Sequence, residues 1–449
     1  MLDTHQIVFI QVVTLFALAA WMYFVVYRIE KKAPFHDLGI IWLSVLTIYS
    51  TLPPIGWMLQ GYKYLTPISG RLFYMQPSAE ELIYVNQIAI SYSIGFVICY
   101  TLLRRTVKMN NVEGIKWIDN SKLYTSLILL ITIKIFSVMI SFSGLIGKAT
   151  SYSDSYKIIQ QAPKWLAQAI LLLTSFQTIL NIVIIAALMQ RWKTHKLWII
   201  FFALLTIFSI DMDGSRASVI LSLILFIICY HIFVKAISTR AWLVMGIVGI
   251  SFFLLWGIRR NLKSWEAVGS QGFTTLEIGE FDAIYANGID LYQLQNKEPY
   301  TVPFTVRFNE FWSFIPSQLL PFEKRDLVNW YLDEYYPEYK AEGGGWVFGA
   351  IPQAIIGNGL PEAIIRGILI AIVCFVLTKI LRHGKTKWWY LPLYMHLIIN
   401  AYMSYRNSTF QQLGPILQFV LPSFAIIWFI SLIFSISISV SNKHQISIP

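Results

Sequence analysis

Eleven apolar runs, most of them near the length that crosses a bilayer, constrain this chain more than any other feature. A hydrocarbon core about 30 Å thick needs roughly 20 apolar residues per helix. The runs extend approximately over residues 7–27, 38–59, 82–103, 123–146, 165–189, 197–210, 217–234, 242–258, 364–381, 388–404 and 413–440. They predict an all-α polytopic membrane protein with about eleven transmembrane helices. Only 13% of the 449 residues are charged, where a soluble protein has about a quarter, so a soluble globule is excluded.

Lys and Arg flank spans mainly on the cytoplasmic side, and the connections sort cleanly by that rule. Alternate connections, from Arg28 to Lys443, hold 18 basic residues against four acids. The expected topology therefore has the C-terminus inside and, with an odd number of spans, the N-terminus outside. Before the first span there is no Lys or Arg and no small-residue cleavage site, so that segment reads as an anchor. The net charge of +11 is then mostly a topology signal, because the inner fringe carries +14 and leaves −3 for the rest. A nucleic-acid partner drops out, and membrane lipids take its place.

One connection stands apart. Residues 259–362 form a 104-residue stretch on the outer side and hold 14 of the 24 acids. The expected organisation is thus 1–258 with eight spans, 259–362 as a large outer loop, and 363–449 with three spans. Inner connections are too short for a nucleotide-binding domain, and no GxxxxGK[ST] phosphate loop occurs. Within the loop, Phe304–Leu320 is aromatic but broken by Arg307, Glu310 and Pro316, as expected of a segment at the interface. Residues Phe322–Tyr336 place Leu327, Trp330, Tyr331 and Glu334 at helical spacing and predict an amphipathic helix ending at Pro337. Gly343, Gly344 and Gly345 permit a hinge, and Trp346–Ile356 is half a span long, which fits a re-entrant piece. The rings of Trp312, Trp330 and Tyr331 suit either an interfacial belt or the faces of a glycan.

Charged groups near the outer ends of spans carry the chemistry. Arg216 opens the seventh span, Arg259 and Arg260 close the eighth, and Arg406 follows the tenth. Basic residues are normally scarce on that side. A guanidinium grips phosphate through a planar fork and keeps its proton, so four arginines at one depth fit an anionic ligand without a metal. Anchoring to phospholipid heads is the competing reading. Asp211 and Asp213 could bind a cation, but a local ion pair with Arg216 accounts for them better. Lys134 sits within the fourth span, where a charge needs a partner, water or a bound anion. His396 and Asn400, four apart in the tenth span, read as helix-packing residues. The loop holds no histidine, so a histidine base there is excluded. Cys99, Cys229 and Cys374 all lie in apolar runs and read as core residues.

Two short stretches carry a resemblance. Gly214-Ser215-Arg216-Ala217 and Gly343–Gly359 (GGGWVFGAIPQAIIGNG) resemble segments of the Wzy-type polymerases of O-antigen and related polysaccharides. The span number and single long outer loop match in architecture. Gln353 stands where many members carry Glu, which departs from the pattern. The resemblance implies an integral-membrane glycosyltransferase of the GT-C type in the bacterial inner membrane. It would join undecaprenyl-pyrophosphate-linked oligosaccharide repeat units at the outer face, without cofactor or metal, with a chain-length regulator as a possible membrane partner. On this reading Arg216, Arg259, Arg260 and Arg406 hold the pyrophosphate. Glu310 is the candidate base beside the aromatic segment, with an ion pair to Arg307 as the alternative. Arg307, Trp312, Trp330 and Tyr331 would face the glycan. A lipid-linked oligosaccharide flippase and an O-antigen ligase are the rival functions. The first is disfavoured by the absence of an internal repeat, the second by the absence of a loop histidine.

Overall fold

A computed structural model describes residues 3–30, 37–59, 64–68, 71–75, 77–106, 118–142, 164–209, 216–242, 244–246, 248, 280–297, 301–315, 319–341, 347–382 and 387–445. Helices dominate. Six of them, Thr4–Glu30, Leu38–Met58, Ala79–Thr106, Leu172–Met189, Leu360–Ile380 and Leu413–Ile433, are long and apolar enough to cross a membrane. The architecture is that of a helical, multi-pass membrane protein. One departure is a two-stranded antiparallel hairpin, β1 (Tyr64–Ile68) and β2 (Arg71–Met75), paired from Tyr64 with Met75 to Ile68 with Arg71.

The chain divides into two compact units. The first comprises Met1–Met109, Val268–Lys379 and Asn400–Pro415, so much of the long loop packs with the N-terminal helices. Its span-length helices include α1 (Thr4–Glu30), α2 (Leu38–Leu59) and α3 (Ala79–Thr106), with the helix that begins at Leu360 as a fourth. The polarity of α1 is inside out. Phe9 is 69% exposed while Gln11 is 1% exposed, an arrangement that suits lipid outside and polar contacts within.

Gln11 has a specific task. Pro54 lies inside α2 and has no N–H to donate to the carbonyl of Ser50, one turn back. The Gln11 side chain donates to that carbonyl instead, at 2.7 Å. A backbone group that lipid could not satisfy is thereby paired.

The helix α8 (Glu280–Lys297; α4 to α7 belong to the second unit) packs on α2, α3 and β1. It also packs on the short α12 (Ala350–Ile355), whose six residues are all buried. The connecting pieces are α9 (Phe304–Arg307), a 3-10 turn at Asn309–Phe311, α10 (Leu327–Tyr335) and α11 (Pro337–Ala341). The expected amphipathic helix is therefore shorter than its sequence pattern. Asp326 caps α10 by accepting the Asn329 N–H at 2.6 Å, and Pro337 opens α11 rather than only ending a helix.

Beyond Gly359, α13 (Leu360–Arg382) crosses α3 at two glycines. A methyl on Gly95 would stand 2.4 Å from the Ile364 carbonyl oxygen, and one on Gly367 would stand 2.3 Å from that of Tyr92. Only glycine permits so close an approach.

The second unit comprises Asn110–Ala267, Ile380–Ile399 and Ile416–Pro449. Its helices are α4 (Asn120–Phe142), α5 (Lys164–Met189), α6 (Trp192–Ser209), α7 (Arg216–Phe233), α14 (Tyr390–Ile399) and the final helix Leu421–Gln445. Buried α5 residues such as Val183 and Ala186 form its centre, against α4, α6, α7 and α14. The expected tenth span is not continuous. It stops at Ile399, where the Asn400 carbonyl turns to accept the Met403 N–H at 3.0 Å and the Gln412 amide at 3.3 Å. His396 and Asn400 consequently do not share a helix. Most of the expected eighth span, 242–258, lies outside the described residues.

Candidate functional site

A buried polar cluster of the first unit lies where the loop meets α3 and α13. The 3-10 turn presents Glu310, which is only 2% exposed. Its Oε1 accepts from Arg366 Nη1 at 2.7 Å and its Oε2 from the Phe410 N–H at 2.9 Å. Arg366 also donates through Nε to Glu362 Oε1 at 2.8 Å, one turn earlier on α13. Glu362 Oε2 pairs with Arg307 and accepts the Asn358 N–H at 3.0 Å. Two arginines and two glutamates thus alternate in a chain of zero formal charge. The helical pair Glu362 and Arg366 is an i, i+4 neighbour pair, and Gly357 leaves the space that the Glu362 carboxylate fills.

A second set of bonds runs beside it. Gln353 on α12 is fully buried, and its Oε1 accepts both the Thr409 N–H at 3.0 Å and the Thr409 hydroxyl at 3.1 Å. The Thr409 hydroxyl also meets the Tyr92 hydroxyl at 2.9 Å. Two residues away, the Gly349 N–H donates to the Asn407 carbonyl at 3.1 Å. Gly349 has φ of 106°, a backbone state that disfavours other residues, and its α-carbon faces Ile284. The segment Asn407–Phe410 is therefore held by Gly349, Gln353 and Glu310, three loop positions. Arg406 ends the short α15 (Met403–Arg406) directly before that segment and is half-buried.

The placements sort the expected site residues. Glu310 is sealed, with both carboxylate oxygens hydrogen-bonded, so it fixes the loop to α13 and has no face turned to a substrate. Its ionic partner is Arg366, and Arg307 pairs with Glu362 instead. Trp330 is 2% exposed and Tyr331 is fully buried, so neither ring offers a face to a glycan. Trp312 is half-buried, with its indole N–H on the Thr305 carbonyl at 3.0 Å and Phe322 against its ring.

Arg216 is the first residue of α7 in the second unit. Arg259, Arg260, Asp211, Asp213 and Gly343–Gly345 lie outside the described residues. Lys134 is half-buried on α4. Among the described residues no three His, Cys, Asp or Glu side chains converge to hold a metal ion.

Two features were missed by sequence reasoning. The first is the pair Glu362 and Arg366, since an acidic and a basic residue four apart beside a helix start are a readable signal. Asp290, on the unforeseen α8, accepts from Tyr331 at 2.5 Å and from Tyr336 at 2.6 Å. An open cleft of about 310 Å³ lies at the surface of α10, lined by Glu323, Lys324, Arg325, Asn329, Asp333 and Lys340. Its cations Arg325 and Lys340 are both paired with Asp333. Comparison of the chain with protein-family models, with curated proteins and with solved structures returns no match.

Proposed function

We propose that this chain is a membrane glycosyltransferase with eleven spans and a GT-C-like organisation. It joins oligosaccharide repeat units carried on undecaprenyl pyrophosphate at the outer face of the cytoplasmic membrane. The observation that carries the reading is the seating of Arg406. The stretch ending at Gly359, which bears part of the family resemblance, and the segment after Arg406 come from residues far apart in sequence. They are joined by the Gly349–Asn407 and Gln353–Thr409 hydrogen bonds.

In this proposal Arg406 binds the donor pyrophosphate and stabilises the charge that develops as it leaves. A preorganised arginine is worth more than a mobile one, because no reorganisation is needed as charge develops. The neutral Glu310–Arg366–Glu362–Arg307 chain supplies that preorganisation by fixing the backbone that follows Arg406. The acceptor is the non-reducing end of the next lipid-linked unit.

Purified protein given synthetic lipid-pyrophosphate repeat units should produce a ladder of longer glycans without nucleotide sugar. Arg406→Ala should lower the initial rate by about 100-fold, the scale of one lost transition-state donor. A wild-type protein that leaves the units unjoined would overturn the reading. Accumulation of units on the inner face in a deletion strain would favour transport instead.

A further inference from the structure

Among the described residues, Asp290 differs from the other buried acids of the first unit. Glu310, Glu362, Glu30 and Asp37 each face an arginine. Asp290 is also buried, at 8% exposure, yet among the described residues no cation lies within ion-pair distance of it. Its Oδ2 takes two hydrogen bonds, from the hydroxyls of Tyr331 at 2.5 Å and Tyr336 at 2.6 Å. Its Oδ1 receives no hydrogen bond among the described residues. One oxygen is thus clamped while the other carries neither tyrosine bond.

Such an arrangement is costly if its role is only structural, since a buried carboxylate without a counter-charge has lost most of its hydration. Burial pushes the Asp290 carboxyl above its usual range, opposed by the two tyrosine hydroxyls and by Lys297 further along α8. A carboxyl displaced in that direction is a better proton acceptor near neutral pH than an exposed one.

Asp290 also belongs to the same construction as Arg406. The Tyr331 ring packs edge-on against Phe348, with centroids 5.7 Å apart, and the next residue, Gly349, bonds to Asn407. The Asn287 amide, one turn before Asp290, donates to the Val347 carbonyl at 2.5 Å. The helix that carries Asp290 and the segment that follows Arg406 are therefore fastened to one short piece of backbone.

We propose that Asp290 is the proton acceptor for a sugar hydroxyl in the glycosyl transfer, an assignment that rests on the function proposed above. The hydroxyl oxygen forms a bond to the anomeric carbon of the donor. The bond from that carbon to the diphosphate breaks, and its electron pair leaves with the pyrophosphate. The hydroxyl proton passes to Asp290 Oδ1. Tyr331 and Tyr336 are positioning residues, since their two donors hold Oδ2 and leave the proton to Oδ1.

The test exploits the clamp. In Asp290→Asn the amide oxygen still accepts both tyrosine hydroxyls, so the fold and donor binding should be retained, but no proton can be taken up. With synthetic lipid-pyrophosphate units, the initial rate should fall at least 100-fold, within the range for loss of a general base. The thermal midpoint in detergent and the affinity for a single lipid-linked unit should stay unchanged. A wild-type ladder with Asp290→Asn within threefold of it overturns the assignment and leaves the proposed function standing. No ladder from the wild type overturns both.

If Asp290→Asn does not fold, Asp290→Glu and Asp290→Gln decide, because they match in length and differ only in basicity. Transfer by the first and not the second supports the role, and equal rates overturn it. The wild-type rate should rise with pH along a limb above the ordinary carboxylate range. Among the described residues the titratable groups acting on Asp290 are Tyr331, Tyr336 and Lys297, none of which ordinarily titrates there. A limb that persists in Asp290→Gln would also overturn the assignment.

Discussion

Two arginine-centred clusters in the first unit invite comparison. In one, Arg104 in the last turn of α3 pairs with Glu30, the final residue of α1, and stands 3.4 Å from Asp37 at the start of α2. Asp37 also accepts from the Tyr100 hydroxyl at 2.5 Å and from the Gly39 N–H at 3.0 Å. In the other, Arg366 lies between Glu310 and Glu362. The first joins the ends of helices that already have their own hydrogen-bonded frame. The second includes a 3-10 turn, a four-residue helix and the backbone N–H groups of Asn358 and Phe410. Removing the first should weaken a bundle, whereas removing the second should also release the backbone that seats Arg406.

The largest effect should come from removing the arginines. Arg366→Ala leaves the buried Glu310 without its ionic partner, and Arg104→Ala leaves Glu30 and Asp37 without theirs, a change that costs roughly 3–5 kcal/mol. Thermal unfolding in detergent should show comparable losses for both. Only Arg366→Ala should also lower the transfer rate per folded molecule and speed proteolysis between residues 300 and 341. Equal behaviour in both assays would erase the distinction.

A smaller loss is expected at Gly349. There a side chain would meet both an unfavourable φ of 106° and the Ile284 methyl, 2.3 Å away. Gly349→Ala should destabilise by about 1–3 kcal/mol and, because Gly349 bonds to Asn407, should reduce transfer along with stability.

Asp326→Ala removes the α10 cap and should cost about 1 kcal/mol. It should leave the helix-end cluster untouched, as read by unchanged protection of α1 and α3 amides from exchange.

The smallest change belongs to Asp333. The Lys340 ammonium, at 2.5 Å, holds its carboxyl below the usual range. The folded value is depressed, so the stabilisation is present above the unfolded value near 3.9 and is lost as pH falls through the folded one. The pair is exposed and screened, which limits it to under about 1 kcal/mol. Asp333→Asn should lower the midpoint slightly at pH 7 and not at all below the folded value.

The fold was legible wherever apolar runs alone specify a helix. The expected spans at 7–27, 38–59, 82–103 and 364–381 all fall within helices that are long and apolar enough to cross a membrane. The helix α8 was not legible. It carries Asn287, Asp290, Gln293 and Asn296 among its apolar residues, and its partners lie far away in sequence, including Glu81 for Gln293. Composition also misled at residues 388–404, where a continuous apolar run contains a turn stabilised by Gln412.

Within the site, sequence distance drew attention to Glu310 and Arg307 as a pair because they are three apart. The actual partners are 56 and 55 residues away. A buried charge finds its partner by geometry, and only the i, i+4 member of the cluster was available to reasoning along the chain.

The glycines at the α3–α13 crossing have a further consequence. Each leaves just enough room for the opposite helix's carbonyl oxygen. A slide of either helix by one residue would bring a side chain where that oxygen now sits, because Ile94 precedes Gly95 and Arg366 precedes Gly367. The crossing therefore acts as a vernier: two residues without side chains set the register at which Glu362 and Arg366 meet the loop.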